Sequence, residues 1–451
     1  MSLPPGPRAP AAVQMWEWIA RPIQFLERAS HRYGDVFTVR FPIGTVVFIA
    51  DPAVIKPIFT GDPDTFHAGE ANATPLEPIM GRHSVLLLDG KEHMRQRKLM
   101  LPSFHGERMQ RYGDVMREVA EAEIASWPVG EPFGLRPRTQ EITLQIIMRT
   151  VFGIDDAERL ARLGERLAAM LDIGGDSRAL AAIALPQVRR TIGRRVYNRF
   201  LRLRAAADAE IYDEISRRRS AADVADRDDV LSILLQARDE DGRALTDEEL
   251  RDELMTLLVA GHETTATSLA WAFDLLLRHR PQLARLQAEI ENGNGEGEYL
   301  DAVIKETLRV RPVVPGVIRK LTAPIELAGY EIPAGMRVAP NIYLTHRRPD
   351  VYPQPEQFRP ERFIDQPAET YSWIPFGGGV RRCLGAAFAT YEMKIVIPAI
   401  LRAVRMRAAD ERPERIRRRA VTFVPEHDGT VVIEEFRRRR PRPAPAEAVP
   451  V

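Results

Sequence analysis

One cysteine in 451 residues, Cys383, is the side chain in this sequence best placed to do chemistry. It stands in Phe376-Gly377-Gly378-Gly379-Val380-Arg381-Arg382-Cys383-Leu384-Gly385, between an extended stretch, Tyr371 to Pro375, and an Ala-rich helical stretch that begins near Ala386. Three successive glycines let a backbone lie flat against a ligand, because no Cβ blocks the approach. A cysteine at the start of a helix faces free amide groups and the positive end of the helix dipole. Both stabilise a thiolate, and Arg381 and Arg382 add charge beside it. The pattern predicts a lowered thiol pKa and a sulfur anion able to ligate a metal. A phosphate-binding loop is a competing use of such glycines, but no Gly-Lys-Ser/Thr follows them and no parallel strand-helix unit surrounds them. An inert buried thiol is the other alternative, and a lone cysteine excludes an internal disulfide.

The elements that must position this segment can be read around it. Thr246-Asp247-Glu248-Glu249 is a capping box, and helical periodicity continues from it to Arg280, where Pro281 stops it. That is about 35 residues, or roughly 50 Å, enough to cross a whole domain. Within it, Ala260-Gly261-His262-Glu263-Thr264-Thr265 places a glycine and two threonines where packing should be tightest, so a local rule is broken there. Residues 35 to 50 read as a hairpin turning at Pro42-Ile43-Gly44, and Asp51-Pro52 reads as an N-cap and first helical position for a helix through Phe59. From about 90 to 280 the pattern is almost entirely helical. Strand signals return after 320, at Ile325 to Ile332, Arg337 to Pro340 and Val421 to Ile433. The fold class is mainly α with small β-sheets.

Composition narrows the partners. With 45% hydrophobic and 28% charged residues the chain is of ordinary globular type, and 64 Lys and Arg against 63 Asp and Glu leave no long-range field for nucleic acid or an anionic surface. No apolar run approaches ~18 residues, and Met1 to Pro10 lacks the basic flank and apolar core of a signal peptide, so neither a membrane anchor nor export is expected. The chain divides into a Pro-rich segment, 1–14, one domain, 15–435, and a basic, Pro-rich tail, 436–451, expected to be disordered.

The cysteine segment resembles the Phe-x-x-Gly-x-Arg-x-Cys-x-Gly motif of the cytochrome P450 superfamily at Phe376, Gly379, Arg381, Cys383 and Gly385. Three further stretches resemble family motifs in the same order along the chain. Ala260 to Thr265 is similar to the acid-alcohol motif of the long central helix. Glu306-Thr307-Leu308-Arg309 with Pro355 to Phe363 is similar to the Glu-x-x-Arg and meander pair. Asp89 to Arg97 is similar to the helix that reaches the haem propionates. The resemblance implies a triangular, helix-rich prism with the long helix over the haem.

It also implies residue roles. Cys383 would ligate the iron of haem b, with Phe376 packed beside the sulfur and Gly379 and Gly385 shaping the loop. His93, Arg97, Arg319 and Arg381 would bind propionates, and Ala260 with Gly261 would leave room for dioxygen. Glu263 and Thr264 would be catalytic, delivering protons. Glu306, Arg309 and Arg362 would form a buried network that fixes the loop carrying Cys383.

The pocket would be walled by Ala68 to Leu88, helices between about 165 and 205, Thr256, Val259, Ala260, Val313, Val314, Val317, Ala420 and Val421. These residues are mostly small and aliphatic, so a lipophilic substrate is expected, a fatty acid, terpenoid or steroid.

The implied activity is a haem-thiolate monooxygenase performing hydroxylation or epoxidation, with electrons from NAD(P)H through a ferredoxin and its reductase. Arg95, Lys98 and Arg382 are the candidate docking contacts. The protein would be a cytoplasmic monomer. A peroxide-driven peroxygenase and a non-catalytic haem sensor are the alternatives. Pro398, in the helix after Cys383, is a departure that should bend or end that helix.

Overall fold

The computed structural model describes residues 3–437, apart from 105, 107, 294–296 and several positions between 176 and 192. The tail from 438 onward and part of the expected 165–205 pocket wall therefore lie outside the described residues.

Alternating apolar residues form the expected hairpin, β1 (Val36–Phe41) and β2 (Gly44–Ile49), which pair antiparallel from Val36↔Ile49 to Phe41↔Gly44. The strands β3 (Phe66–His67), β5 (Arg319–Leu321) and β8 (Arg337–Pro340) complete a five-stranded sheet in the order β1-β2-β8-β5-β3, and only the β2–β8 pairing is parallel. The single stretch expected from Ile325 to Ile332 is a second hairpin, β6 (Ile325–Leu327) and β7 (Tyr330–Ile332), turning through Ala328 and Gly329, both at positive φ. β4 (Pro132–Gly134), β12 (Thr430–Phe436) and β9 (Val404–Ala408) form a three-stranded sheet, and β10 (Ile416–Arg419) pairs with β11 (Thr422–Pro425). Phe436 thus closes a strand, and Arg437 donates its backbone amide to the Ala403 carbonyl.

The Asp51 carboxylate caps the helix Pro52–Thr60 by accepting from the Ala53 amide at 2.8 Å. The capping box at Thr246 forms as its sequence dictates, and the long helix runs Asp247–Arg278 before Pro281 opens the next, Arg280–Asn292. Most of the long helix is buried, including Trp271 and Phe273 at 0% exposure, so it is the axis on which the other helices pack. The helix Leu135–Thr150 lies along it. Thr139 and Thr143 of that helix donate their hydroxyls to the Ala266 and His262 carbonyls at 2.9 and 3.0 Å.

The helix that follows Cys383, Ala386–Ala403, continues for five residues beyond Pro398. The proline removes one amide and crowds the carbonyl four residues before it. Burial of Ile395, Val396, Ile397, Ile400 and Leu401 on both sides of it keeps the helix going.

Candidate functional site

Cys383 sits just before this helix, its backbone amide bonded to the Phe376 carbonyl at 2.9 Å. The glycine run approaches protein rather than open space: a Cβ on Gly378 or Gly379 would overlap Phe59 of the helix Pro52–Thr60, and Gly379 holds φ +64°. The cysteine side chain is exposed, but onto a cavity of ≈560 Å³ lined by Arg97, Phe376, Trp373, Tyr391 and Lys394 among others. Surrounding protein cuts the sulfur off from bulk water and pushes its pKa up. The Gly385 amide, Arg97 and Arg382 act in the opposite direction and do not overcome it. The lowered thiol pKa expected from sequence is thereby corrected: desolvation outweighs the helix terminus and the two arginines. A thiolate here calls for a cation at the sulfur itself.

Beside the cysteine, four basic side chains converge. His93 and Arg97 lie one turn apart on Gly90–Met100, Arg319 opens β5, and Arg381 belongs to the cysteine loop. Burial, then Arg381, Arg97 and Arg319, lower the His93 pKa to about 3, so the imidazole stays neutral. Arg319 is 5% exposed with its pKa lowered to about 10, by burial first and then by Arg381. Asp89 lies 2.5 Å from Arg381, which also donates to the Val85 and Leu88 carbonyls. Among the described residues neither Arg97 nor Arg319 has an acidic partner within 4 Å. One buried and two half-buried arginines with so little counter-charge suit an anionic ligand. The donor set, an uncommitted sulfur and a deficit of negative charge on one side of it, fits a haem with its propionates.

On the long helix, Ala260 is exposed and Gly261 and Thr264 are half-buried, so the helix presents small residues and one hydroxyl to open space. Thr264 Oγ1 donates to the Ala260 carbonyl at 2.7 Å, leaving its lone pairs free to accept. Glu263 is held from Leu135–Thr150: Gln140 Nε2 donates to one oxygen at 2.5 Å and Arg136 Nη1 to the other at 3.3 Å. Arg136 also bonds Asp428 at 2.6 Å, in the turn between β11 and β12. Neither Arg136, Gln140 nor Asp428 was singled out from sequence. His262 is buried with its pKa lowered to about 4, through burial, Arg136 and Arg419.

Glu306, Arg309 and Arg362 are brought together. Arg309 donates to both oxygens of Glu306 at 2.7 and 2.8 Å, Arg362 Nε adds a bond at 3.0 Å, and Glu306 and Arg309 are fully buried. Arg309 also reaches the His346, Pro355 and Gln357 carbonyls, so it staples the segment that leads toward the cysteine loop. The expected pocket residues are less uniform. Thr256 donates its hydroxyl to the Asp252 carbonyl at 2.6 Å with the Ser84 hydroxyl 2.7 Å away, Val313 is buried, Val259, Val314, Val317 and Ala420 are half-buried, and Val421 is 45% exposed. Arg95 is committed elsewhere, to Asp239 at 2.6 Å and Glu249 at 2.8 Å. It is therefore not the free docking contact expected from sequence, whereas Arg382 remains exposed.

The cytochrome P450 family matches residues 4–431. This chain belongs to the cytochrome P450 family. Its P450 relatives include the putative cytochrome P450 135B1 of Mycobacterium tuberculosis, 44% identical over 97% of this chain and 92% of that one. The putative cytochrome P450 137 of the same organism is 39% identical over 94% of this chain and 89% of that one. Among solved structures, a retinoic-acid-bound cyanobacterial P450, CYP120A1, superposes with a TM-score of 0.81 at 25% identity, covering 96% of this chain and 100% of that one. The haem domain of cytochrome P450DA shares the fold at a TM-score of 0.81 and 23% identity, over 97% and 98% of the two chains. As a P450 the protein is a haem-thiolate monooxygenase that uses dioxygen. Among the described residues no helix of this P450 is long and apolar enough to cross a membrane.

Proposed function

We propose that this P450 inserts one oxygen atom into a lipophilic small molecule of the fatty acid, terpenoid or steroid class, by hydroxylation or epoxidation. Haem b is the cofactor of this reading, and NAD(P)H supplies electrons through a ferredoxin and its reductase. The single haem domain, 15–435, acts as a cytoplasmic monomer. The observation that carries the reading is the Cys383 sulfur facing a cavity that Arg97 also lines, with neutral His93, buried Arg319 and half-buried Arg381 grouped around Arg97. Haem held by the Cys383 thiolate would supply dioxygen binding and cleavage, with the sulfur donating electron density. Arg97, Arg319 and Arg381, with neutral His93 as a hydrogen-bond donor, would hold the propionates. Thr264 holds a proton at Oγ1 and hands it on, and Glu263 replaces it from the solvent side.

Support for a lipophilic substrate comes from the aliphatic character of Val259, Val313, Val314 and Val317, and from the retinoic acid named for the cyanobacterial relative. Support for an acidic electron donor comes from the face around the Cys383 cavity, where Arg382, Lys305 and Lys394 outnumber Asp301.

The test is the carbon monoxide difference spectrum of the reduced protein, with dodecanoic acid, a terpene and a steroid titrated for substrate-type spectral shifts. The parent protein gives the thiolate-ligand spectrum and Cys383→Ser loses it. An unaltered spectrum in Cys383→Ser defeats the ligand assignment, and shifts confined to polar amines defeat the substrate class.

A further inference from the structure

Glu253, in the first turns of the long helix Asp247–Arg278, is fully buried, and neither of its carboxyl oxygens has a hydrogen-bond partner. The charges around it are spent on one another: Arg95 bonds Glu249 at 2.8 Å, Arg251 bonds Asp252 at 2.8 Å, and Asp252 also accepts the His83 amide at 2.9 Å. Burial raises the Glu253 pKa well above the usual carboxylate range. The Val85 amide pulls it back without a bond of normal geometry, and Asp252 and Glu249 push it further up. The group is therefore a neutral acid, with one O–H to give and lone pairs to accept. A buried polar group without a partner costs stability, so its presence calls for a reason outside the fold itself.

Helical geometry supplies the reason. At about 100° per residue, Ala260 and Thr264 lie within about 20° of Glu253 around the axis, and Leu257 within about 40°. Along this stripe Thr264 is half-buried, Ala260 exposed and Leu257 half-buried, and Glu253, one turn further, is buried. It closes the end of the open space over the helix, about 10 Å along the axis from Ala260 and about 16 Å from Thr264. Residues 83–85 cover it. The His83 amide on Asp252 and the Ser84 hydroxyl, 2.7 Å from that of Thr256, hold this cover to the helix, and the Val85 carbonyl accepts from Arg381 at 3.1 Å. The cover is thin, since the next residue, Leu86, is 37% exposed.

We infer that Glu253 is a specificity-determining residue whose carboxyl group receives an alcohol or ketone oxygen at the end of the substrate remote from the oxidised carbon. On the lipophilic-substrate reading given above, on which this rests, the preferred substrates are terpenoid alcohols and hydroxy- or ketosteroids rather than fatty acid anions. Val85 shifts to admit the oxygen, and the new bond satisfies a group otherwise buried without a partner, the situation in which a site discriminates most strongly. A carboxylate would bring another anion beside Asp252 and Glu249, and an ammonium would lose its hydration before gaining a partner.

Dodecanol, dodecane and dodecanoate are titrated into the haem-loaded parent, Glu253→Gln and Glu253→Leu proteins and read by substrate-type spectral shift. Dodecane is the most apolar of the three, so without a polar partner it binds at least as tightly as dodecanol. The parent is expected to bind dodecanol about tenfold more tightly than either of the others, and Glu253→Gln to keep most of that preference. Glu253→Leu is expected to lose it with an unfolding midpoint unchanged or raised, because an apolar side chain replaces an unpartnered acid. A preference absent from the parent, or one that survives in Glu253→Leu, overturns the assignment. So does a lost preference accompanied by a lowered midpoint, which makes the carboxyl group a structural partner of Val85. No shift with any of the three ligands overturns the lipophilic-substrate reading and the role of Glu253 with it.

Discussion

Glu306→Gln should be among the most damaging substitutions in the chain, although it changes no volume and touches neither the cysteine nor its cavity. Glu306 accepts four bonds: two from Arg309 at 2.7 and 2.8 Å, one from Arg362 at 3.0 Å and one from the Arg359 amide at 2.8 Å. Three of these come from guanidinium groups, and such charge-assisted bonds contribute roughly 1.5 to 3 kcal/mol each. The gross loss is partly recovered, because Arg309 keeps the carbonyls of His346, Pro355 and Gln357 and the glutamine still offers one acceptor oxygen. What is not recovered is the negative charge opposite an arginine at 0% exposure, and breaking such a pair from one side costs ~3 to 5 kcal/mol.

Arg362→Met should cost only about 1 to 2 kcal/mol, since it leaves the Glu306–Arg309 pair intact and removes a single charge-assisted bond to Glu306. Once Glu306 is neutral, Arg362 has lost its counter-charge, so the double variant should be more stable than the sum of the single losses by about 1 kcal/mol or more. Denaturant unfolding of the four haem-loaded proteins measures all of this. A loss under ~1 kcal/mol for Glu306→Gln, or strict additivity, refutes the reasoning.

Acid should destabilise the fold through His346, whose pKa burial and then Arg309 lower to about 3. Its unfolded value of about 6.5 lies higher, so the unfolded chain binds the extra proton as pH falls from about 6.5 toward 3. The loss at pH 4 is about 3 kcal/mol, and His346→Gln should flatten that limb of the stability-pH curve measured by denaturant titration. Glu392 carries the opposite sign: burial raises its pKa to about 8, so the native state keeps a proton that the unfolded chain releases above about 4.5. Stability is lost as pH rises from about 4.5 toward 8, and Glu392→Gln should gain about 1 to 3 kcal/mol at pH 7 and almost nothing at pH 4. Arg95→Ala should lower the unfolding midpoint without changing the KM for ferredoxin, because its partners are Asp239 and Glu249. Arg382→Glu should raise that KM about fivefold or more at low salt with little change in stability, and equal KM effects for the two would discard the docking face.

What the sequence made legible follows from interaction range. The capping box at Thr246, the cap at Asp51 and the β1–β2 hairpin are fixed by residues within a turn of one another, and the structure forms each of them. Pro398 locally predicts that the helix bends or ends, yet it does not end there but runs on to Ala403 with Ile397 and Leu401 buried on either side, a tertiary effect that no local propensity contains. The motif residues are findable because chemistry confines their spacing, Arg309 three positions after Glu306 and ten residues from Phe376 to Gly385 inclusive.

The side chains that hold Glu263 have no such spacing. Arg136 and Gln140 precede it by 127 and 123 positions, and Asp428 stands 292 positions beyond Arg136. Only the packing of Leu135–Thr150 along the long helix, and a turn pinned by Glu414, bring them together. The thiol repeats the lesson in electrostatics. Helix terminus and neighbouring arginines can be read from the order of residues, but the desolvation that outweighs them belongs to every atom packed around Cys383. Those surroundings disfavour the free anion, and a metal cation at the sulfur would offset the desolvation. On that account ligand loss, not the helix terminus, should govern its protonation, and removal of haem should return Cys383 to a slow-reacting thiol toward alkylating reagents at neutral pH.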